Sequence, residues 1–452
     1  MVEVALLGWI PICVVLFACL SPAKALTLSY LGGWLFLPML RIPIQRFWDI
    51  DKILTTNVGA ILGTLLFASH TLRGYRVTFA DVALFLFAGS AFASSVAAGW
   101  GAYDGVSSFT HELFYYAVPF GLGRAILRDR PRLLEASRMI VFGAAVYALL
   151  ALWEWRMSPQ IHSTLYGMFQ HRFLQTHRWG FFRPIVCFPH ALSLGMFMCW
   201  ASMLAIWLHR SGRLGSVMSV PPVILIGLPL FALVASMSMS PWGLFLVGVG
   251  LLFLWQRTRQ RMWLWCPIVF AMIWMAGRYT GNSDGQWLTS LASQISNDRA
   301  ESLRYRIDAE SVVLENAKKN PMFGFGRGKH QTGQEESARR LASDGLWVIV
   351  LGRYGLVGVV LFYLWWCWPM VLARSASQEL ERDPALMVQL VAIAMESVNF
   401  LFNGVTNPLV VLMIGGAVSG LQGLQRRGTA VTRRVTRAPR TRTMAISTGS
   451  DS

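Results

Sequence analysis

Residues 302–328 read SLRYRIDAESVVLENAKKNPMFGFGRG, and residues 343–358 read SDGLWVIVLGRYGLVG. The first stretch has the pattern of a charged helix that bears Arg304 and Arg306. Ala309, Val312, Val313 and Ala317 fall at helical spacing and give it one apolar stripe. The conformational bias of a residue before proline ends this helix at Asn320. Gly324, Gly326 and Gly328 then permit a tight return. The second stretch is apolar, with Asp344 at its mouth and Arg353 inside. A polar helix that folds back onto an apolar run decides the fold, because the sequence around it is hydrophobic enough to lie in a membrane.

The chain has 452 residues, 54% hydrophobic and 14% charged, with a mean hydropathy of +0.47. A soluble chain of this length carries about 25% charged residues. The deficit is spread along the whole sequence, so it implies many spans and not one anchor. Apolar runs lie at 4–20, 26–40, 53–70, 78–98, 107–127, 137–153, 189–208, 220–237, 241–255, 262–277, 343–372, 386–403 and 405–424. Most approach the ~20 residues that cross a bilayer as a helix. The expected fold is all-α: a polytopic integral membrane protein of about 12–13 transmembrane helices with one large extracytoplasmic helical loop.

Four regions follow. Residues 1–277 form the first part of the bundle and include a loop at 154–188. Residues 278–342 form the large loop, 343–424 the C-terminal helices, and 425–452 a basic, disordered tail. The first apolar run has no basic segment before it and reads as a retained helix. Leu37–Lys52 can lie flat in the interface, with Phe47 and Trp48 as anchors.

The net charge of +17 is concentrated in short loops and in the tail, where Arg426, Arg427, Arg433, Arg434, Arg437, Arg440 and Arg442 crowd together. That distribution follows the rule that basic loops stay in the cytoplasm, and it argues against nucleic acid as a partner. With the tail inside, loops 71–77, 128–136, 209–219, 256–261 and 373–385 also fall inside. The loops at 154–188 and 278–342 then fall outside. The large loop holds ten Lys/Arg and eight of the chain's 23 acidic residues. The six cysteines form no CxxC pair, so neither a zinc site nor a disulfide framework is expected.

The order Arg, short helix, Asn320-Pro321-Met322-Phe323-Gly324-Phe325-Gly326, polar insert, polar dyad and a helix carrying Gly355-Leu356-Val357-Gly358 resembles the bacterial O-antigen ligase and O-antigen polymerase-like family. Two upstream pieces agree with it. LPMLRIPIQRFWDIDK (37–52) is similar to the segment after the family's early helices, and Phe182-Arg183-Pro184 with Phe188-Pro189-His190-Ala191 is similar to its extracytoplasmic arginine and helix entry. Two positions depart from the family's pattern. Asp344 stands where ligases usually carry histidine, and Pro241 follows the Ser236–Ser240 motif where arginine is common. Both favour a polymerase-type or divergent member.

The resemblance implies sugar transfer from an undecaprenyl-diphosphate-linked glycan to a hydroxyl of a glycan or lipid acceptor. The reaction would run at the outer face of the bacterial inner membrane. The lipid bilayer and other polysaccharide-assembly proteins are the expected partners. Negative charge develops on the leaving diphosphate, and arginine forks are suited to it. Preorganised positive charge can take a metal's place there, so the expected transferase is metal-independent and needs no cofactor.

Arg304 and Arg306 are candidate diphosphate ligands; alternatively they pair locally with Glu301, Asp308 or Glu310. Arg183, His190, Arg327 and His330 are further substrate-binding candidates. Asp344 is the candidate general base, or else an ordinary helix-start aspartate. Arg353 lies nine residues beyond it, on roughly the opposite helix side. Glu396, Asn399 and Asn403 form one polar stripe that could supply its buried partner. A flippase or secondary transporter, and a non-catalytic assembly partner, are the competing functions. The first would need ionisable groups through several helices and repeat symmetry, and the sequence offers little of either.

Overall fold

The long apolar runs leave their backbone polar groups no water to bond, so they must close hydrogen bonds within themselves as helices. The computed structural model describes residues 1–42, 49–170, 173–294, 296–327 and 345–437, and helix dominates it. His330, Asp344, Phe47, Trp48 and residues 438–452 lie outside the described residues. The helices are α1 (Val2–Cys19), α2 (Pro22–Phe36), α3 (Lys52–Phe67), α4 (Phe79–Ala97), α5 (Gly101–Glu112), α6 (Val118–Ile126), α7 (Arg130–Met157), α8 (Ile161–Tyr166), α9 (Ala191–Arg210), α10 (Pro222–Ala235), α11 (Met239–Thr258), α12 (Trp265–Thr280), α13 (Gln286–Ser293), α14 (Asn297–Ala317), α15 (Leu346–Trp366), α16 (Trp368–Ser375), α17 (Pro384–Asn399) and α18 (Pro408–Arg437). One two-residue hairpin, His177–Arg178 against Phe181–Phe182, is the sheet among them.

Each apolar run of the sequence contains helix. Among the described residues, eight helical stretches are long and apolar enough to cross a membrane, and α3 and α10 are shorter apolar helices. The chain is thus a multi-pass, all-α membrane protein. The run at 107–127 differs from a plain span: α5 passes into α6 through a π-helical turn at Leu113–Ala117. The tail boundary also differs, because α18 continues past residue 425 to Arg437.

α6 packs directly on α18. A Cβ on Gly123 would sit 2.0 Å from the Leu412 carbonyl oxygen, and one on Gly415 would sit 2.1 Å from that of Phe120. Only glycine allows this approach, as in other membrane helix pairs. The arginine loops are knitted at one end of the bundle. Arg124 pairs with Asp81, and Arg130 binds Asp383 at 2.5 Å and Glu379 at 2.9 Å.

α14 is docked by a buried ion pair. Arg278, at the end of α12, donates from Nε to Glu310 Oε1 at 2.6 Å, and from Nη2 to Ile307 O and Ser311 Oγ. Burial pushes the Glu310 carboxyl above its usual range, against the pull of the Arg278 guanidinium. The expected stripe is shifted in consequence. Ile307, Ala309, Glu310, Leu314 and Ala317 are the buried positions, whereas Val312 is exposed. A charged residue faces inward because its partner on α12 is there to meet it, which an apolar pattern alone cannot encode.

Candidate active site

The segment before α9 is held by three buried polar side chains that converge on its backbone. The Glu154 carboxylate accepts from the amides of Ile161, Ile185 and Val186 at 3.0, 2.8 and 2.7 Å. The Tyr147 hydroxyl accepts from Cys187 N at 2.8 Å. Lys52 Nζ donates to the carbonyls of Trp34 and Cys187 at 3.1 and 3.2 Å and lies 4.3 Å from the Trp34 ring centroid. Val186 is forced to φ +52, a strained value for a β-branched residue. The clamp delivers His190 to the N-cap of α9, where its Nδ1 accepts from Leu192 N at 2.9 Å. A ring nitrogen that accepts carries no proton, so neutral His190 bears its proton on Nε2.

His190 lines a cavity of about 170 Å³ with Trp34, Arg306, Glu396, Asn399 and Asn407. Arg306 reaches it from α14. Its Nη1 donates to Phe402 O and Asn403 Oδ1, both at 3.2 Å. Asn403 Nδ2 donates to Asn399 Oδ1 at 2.6 Å, and Asn399 Nδ2 donates to Glu396 Oε2 at 2.8 Å. A relay from guanidinium to carboxylate therefore runs along the end of α17. The polar stripe foreseen as a partner for Arg353 serves Arg306 instead. Among the described residues, the Arg353 side chain makes no ion pair, and its Nε is buried without a hydrogen-bond partner.

The NPMFGFG turn has a structural role. α15 is broken at Gly355, which takes φ +66 and ψ −165. The break strands carbonyls above it and amides below it. The turn satisfies both sets. Phe325 N and Gly326 N donate to Gly352 O and Arg353 O, each at 2.9 Å, while Pro321 O and Met322 O accept from Leu356 N and Val357 N at 2.8 and 3.2 Å. A Cβ on Gly355 would lie 2.3 Å from the Met322 carbonyl.

The turn leads to Arg327, which lies 3.6 Å from Glu112. Glu112 is buried at the start of the π-turn, accepts from Tyr354 Oη at 2.6 Å, and sits 3.3 Å from His111 Nδ1. Tyr115 Oη in that turn donates to Thr406 O at 3.2 Å. The loop after Asn403 thus has the His190–Arg306 cavity on one side and the Glu112–Arg327 cluster on the other.

Arg183 is buried away from the cavity lining. It donates from Nη2 to Ser238 Oγ at 2.7 Å and from Nε to Ser236 O at 3.4 Å, so it meets the serine motif between α10 and α11. Arg304 is exposed on α14, two residues and roughly 200° around the helix from Arg306, and is not part of the cavity. Lys52, Glu112 and Glu154 were not foreseen. Each was visible as a lone charge in or beside an apolar run, where a partner or a role is expected.

Residues 223–363, from α10 to α15, match the family model described as O-Antigen ligase. Over these residues the chain is similar to O-antigen ligases. No curated protein matches it. The ligase-like region contains the serine motif, Arg306, the NPMFGFG turn, Arg327 and Arg353. His190 and the relay from Asn403 to Glu396 lie on either side of it in sequence, and the fold closes them over Arg306.

Proposed function

We propose that this protein transfers a glycan from an undecaprenyl-diphosphate carrier to a hydroxyl acceptor, by polymerisation or ligation, at the outer face of the bacterial inner membrane. The observation that carries the reading is the meeting of Arg306 and His190 in one cavity beside the half-buried Glu396 carboxylate, in a chain similar to O-antigen ligases over residues 223–363. A permanently charged fork and an Nε2–H donor suit a diphosphate that gains charge as it leaves. Asn403, Asn399 and Glu396 hold the fork in place by hydrogen bonds and so position it.

The acceptor oxygen attacks the anomeric carbon, the bond from that carbon to the diphosphate breaks, and the carrier departs as a lipid diphosphate. Asp344 takes the acceptor's proton. Arg327, fixed by Glu112, together with His330 and Arg304, binds the donor's outer portion. Arg183 acts by fixing the α10–α11 turn. Asp344, where ligases usually carry histidine, favours polymerisation of O-antigen or exopolysaccharide.

The glycan profile of a deletion strain tests the reading. Single repeats retained without polymer mean polymerase. Lipid-linked polymer that never reaches its acceptor means ligase. An unaltered glycan profile, or lipid-linked repeats stranded on the inner leaflet as a flippase defect would leave them, contradicts the proposal.

A further inference from the structure

A groove of about 1090 Å³ opens at the arginine-loop end, between the start of α12 and the end of α16. From this end α12 runs to the docked α14, and α17 runs from the groove to the cavity lined by His190 and Arg306. α17, with 16 residues, sets the two about 24 Å apart at 1.5 Å per residue. Four arginines line the groove: Arg259, Arg261, Arg374 and Arg382.

Arg261 is fully occupied. It donates to Glu381 Oε1 at 2.8 Å and to the carbonyls of Ala373, Ala376 and Ser377 at 2.6, 2.7 and 3.0 Å. It ties the far wall to α12 and neutralises the groove's one acid. Arg259, Arg374 and Arg382 are exposed and form no ion pair among the described residues. Three uncompensated positive charges therefore face one space. Arg259 even occupies a left-handed position, φ +59, at the end of α11, where glycine or asparagine is the usual occupant.

The groove is apolar on its other side, where Met262 and Val269 line it, and Ile273 lies one helical turn beyond Val269. Met262, Val269 and Ile273 are 62, 48 and 67% exposed. Met262 stands in the single turn that precedes α12, and Val269 and Ile273, four residues apart on α12, continue along one helical face. This face leads from the arginines toward the middle of the bundle. A phosphate at the arginines and an acyl chain along that face would satisfy both halves.

We infer that this groove binds an anionic glycerophospholipid, with its phosphate between Arg259, Arg374 and Arg382 and a chain against Met262, Val269 and Ile273. Arginine clusters at the membrane surface attract such headgroups. A lipid held here would brace α12 and α17, the helices that end at the docked α14 and at the relay. The site lies apart from the transfer chemistry and does not depend on it.

Native mass spectrometry of the full-length protein with added phosphatidylglycerol or phosphatidylcholine tests the inference. Wild type should retain phosphatidylglycerol over phosphatidylcholine. The variant R259Q/R374Q/R382Q should lose that retention by about tenfold or more. A control, R73Q/R76Q/R213Q, removes the same charge from other arginine loops and should keep it. Because all six side chains are exposed, matching thermal unfolding of the two lipid-free variants is expected. Equal loss in both variants, or equal retention of the two lipids by wild type, would overturn it.

Discussion

At the scale of single residues, the site depends on which neighbour each charge finds. Arg306 and Glu396 were both legible in the sequence as polar residues with work to do, but their partnership was not. Two asparagines link them, one at the end of α17 and one in the loop after it, and amides four residues apart give no hydropathy signal of the chain to which they belong. Asn403 is the link that touches Arg306. Asn403→Leu should leave the fork poorly placed without removing its charge. The expected result is a KM for lipid-linked donor about tenfold higher, with the protein still present in the membrane. An unchanged KM in reconstituted protein would show that the relay is only scaffolding. Arg353 teaches the converse. Its charge invited an acidic partner, yet what its backbone offers matters more, because its carbonyl receives the Gly326 amide.

At the scale of elements, the helices were legible because apolar runs must be helical in lipid. The breaks in them were less so. Gly355 sits within an unbroken apolar run, and only the carbonyls of Pro321 and Met322 explain why the chain opens there. Gly355→Ala should cost about 1–3 kcal/mol from its backbone conformation alone. The clash with Met322 adds to that cost, so the variant should unfold at visibly lower temperature in detergent. An unchanged transition would contradict the plugged-break arrangement.

The clamp on the loop at 154–188 has its own signature. His162 takes a hydrogen bond on Nε2 from Met39 N at 3.1 Å and contacts Met168 O through Nδ1 at 2.7 Å. The neutral ring suits both. Burial holds its pKa below the ordinary 6.5. A depressed histidine pKa means that the unfolded loop binds the proton more readily. The contribution is therefore complete above pH 6.5 and is lost as pH falls through the folded value. The protection factor of the Met39 amide, with exchange corrected for its intrinsic pH dependence, should fall on acidification below about pH 6, and His162→Gln should remove that dependence. Exchange equally steep in the variant would assign the effect elsewhere.

At the scale of the whole molecule, the sequence made a membrane bundle with a large helical loop legible through composition, and the order of its motifs carried the family likeness. It could not show that α9, α14 and the end of α17 meet, because those contacts join residues 96 or more positions apart. The distribution of basic loops also makes a claim about orientation. Single cysteines in place of Ser290 on α13 and Arg73 in the α3–α4 connection should differ in whole cells. An impermeant thiol reagent should label the first and spare the second; the reverse would invert the topology and move the site to the wrong leaflet.

The central claim is that Arg306 carries transfer from a lipid-diphosphate donor. It is tested most directly by purified protein in liposomes, supplied with undecaprenyl-diphosphate-linked repeats and an acceptor. Wild type should extend or transfer the glycan. Arg306→Ala should lower the rate by roughly 100-fold or more, with the donor consumed in neither hydrolysis nor transfer. Wild-type rates from Arg306→Ala would contradict the account.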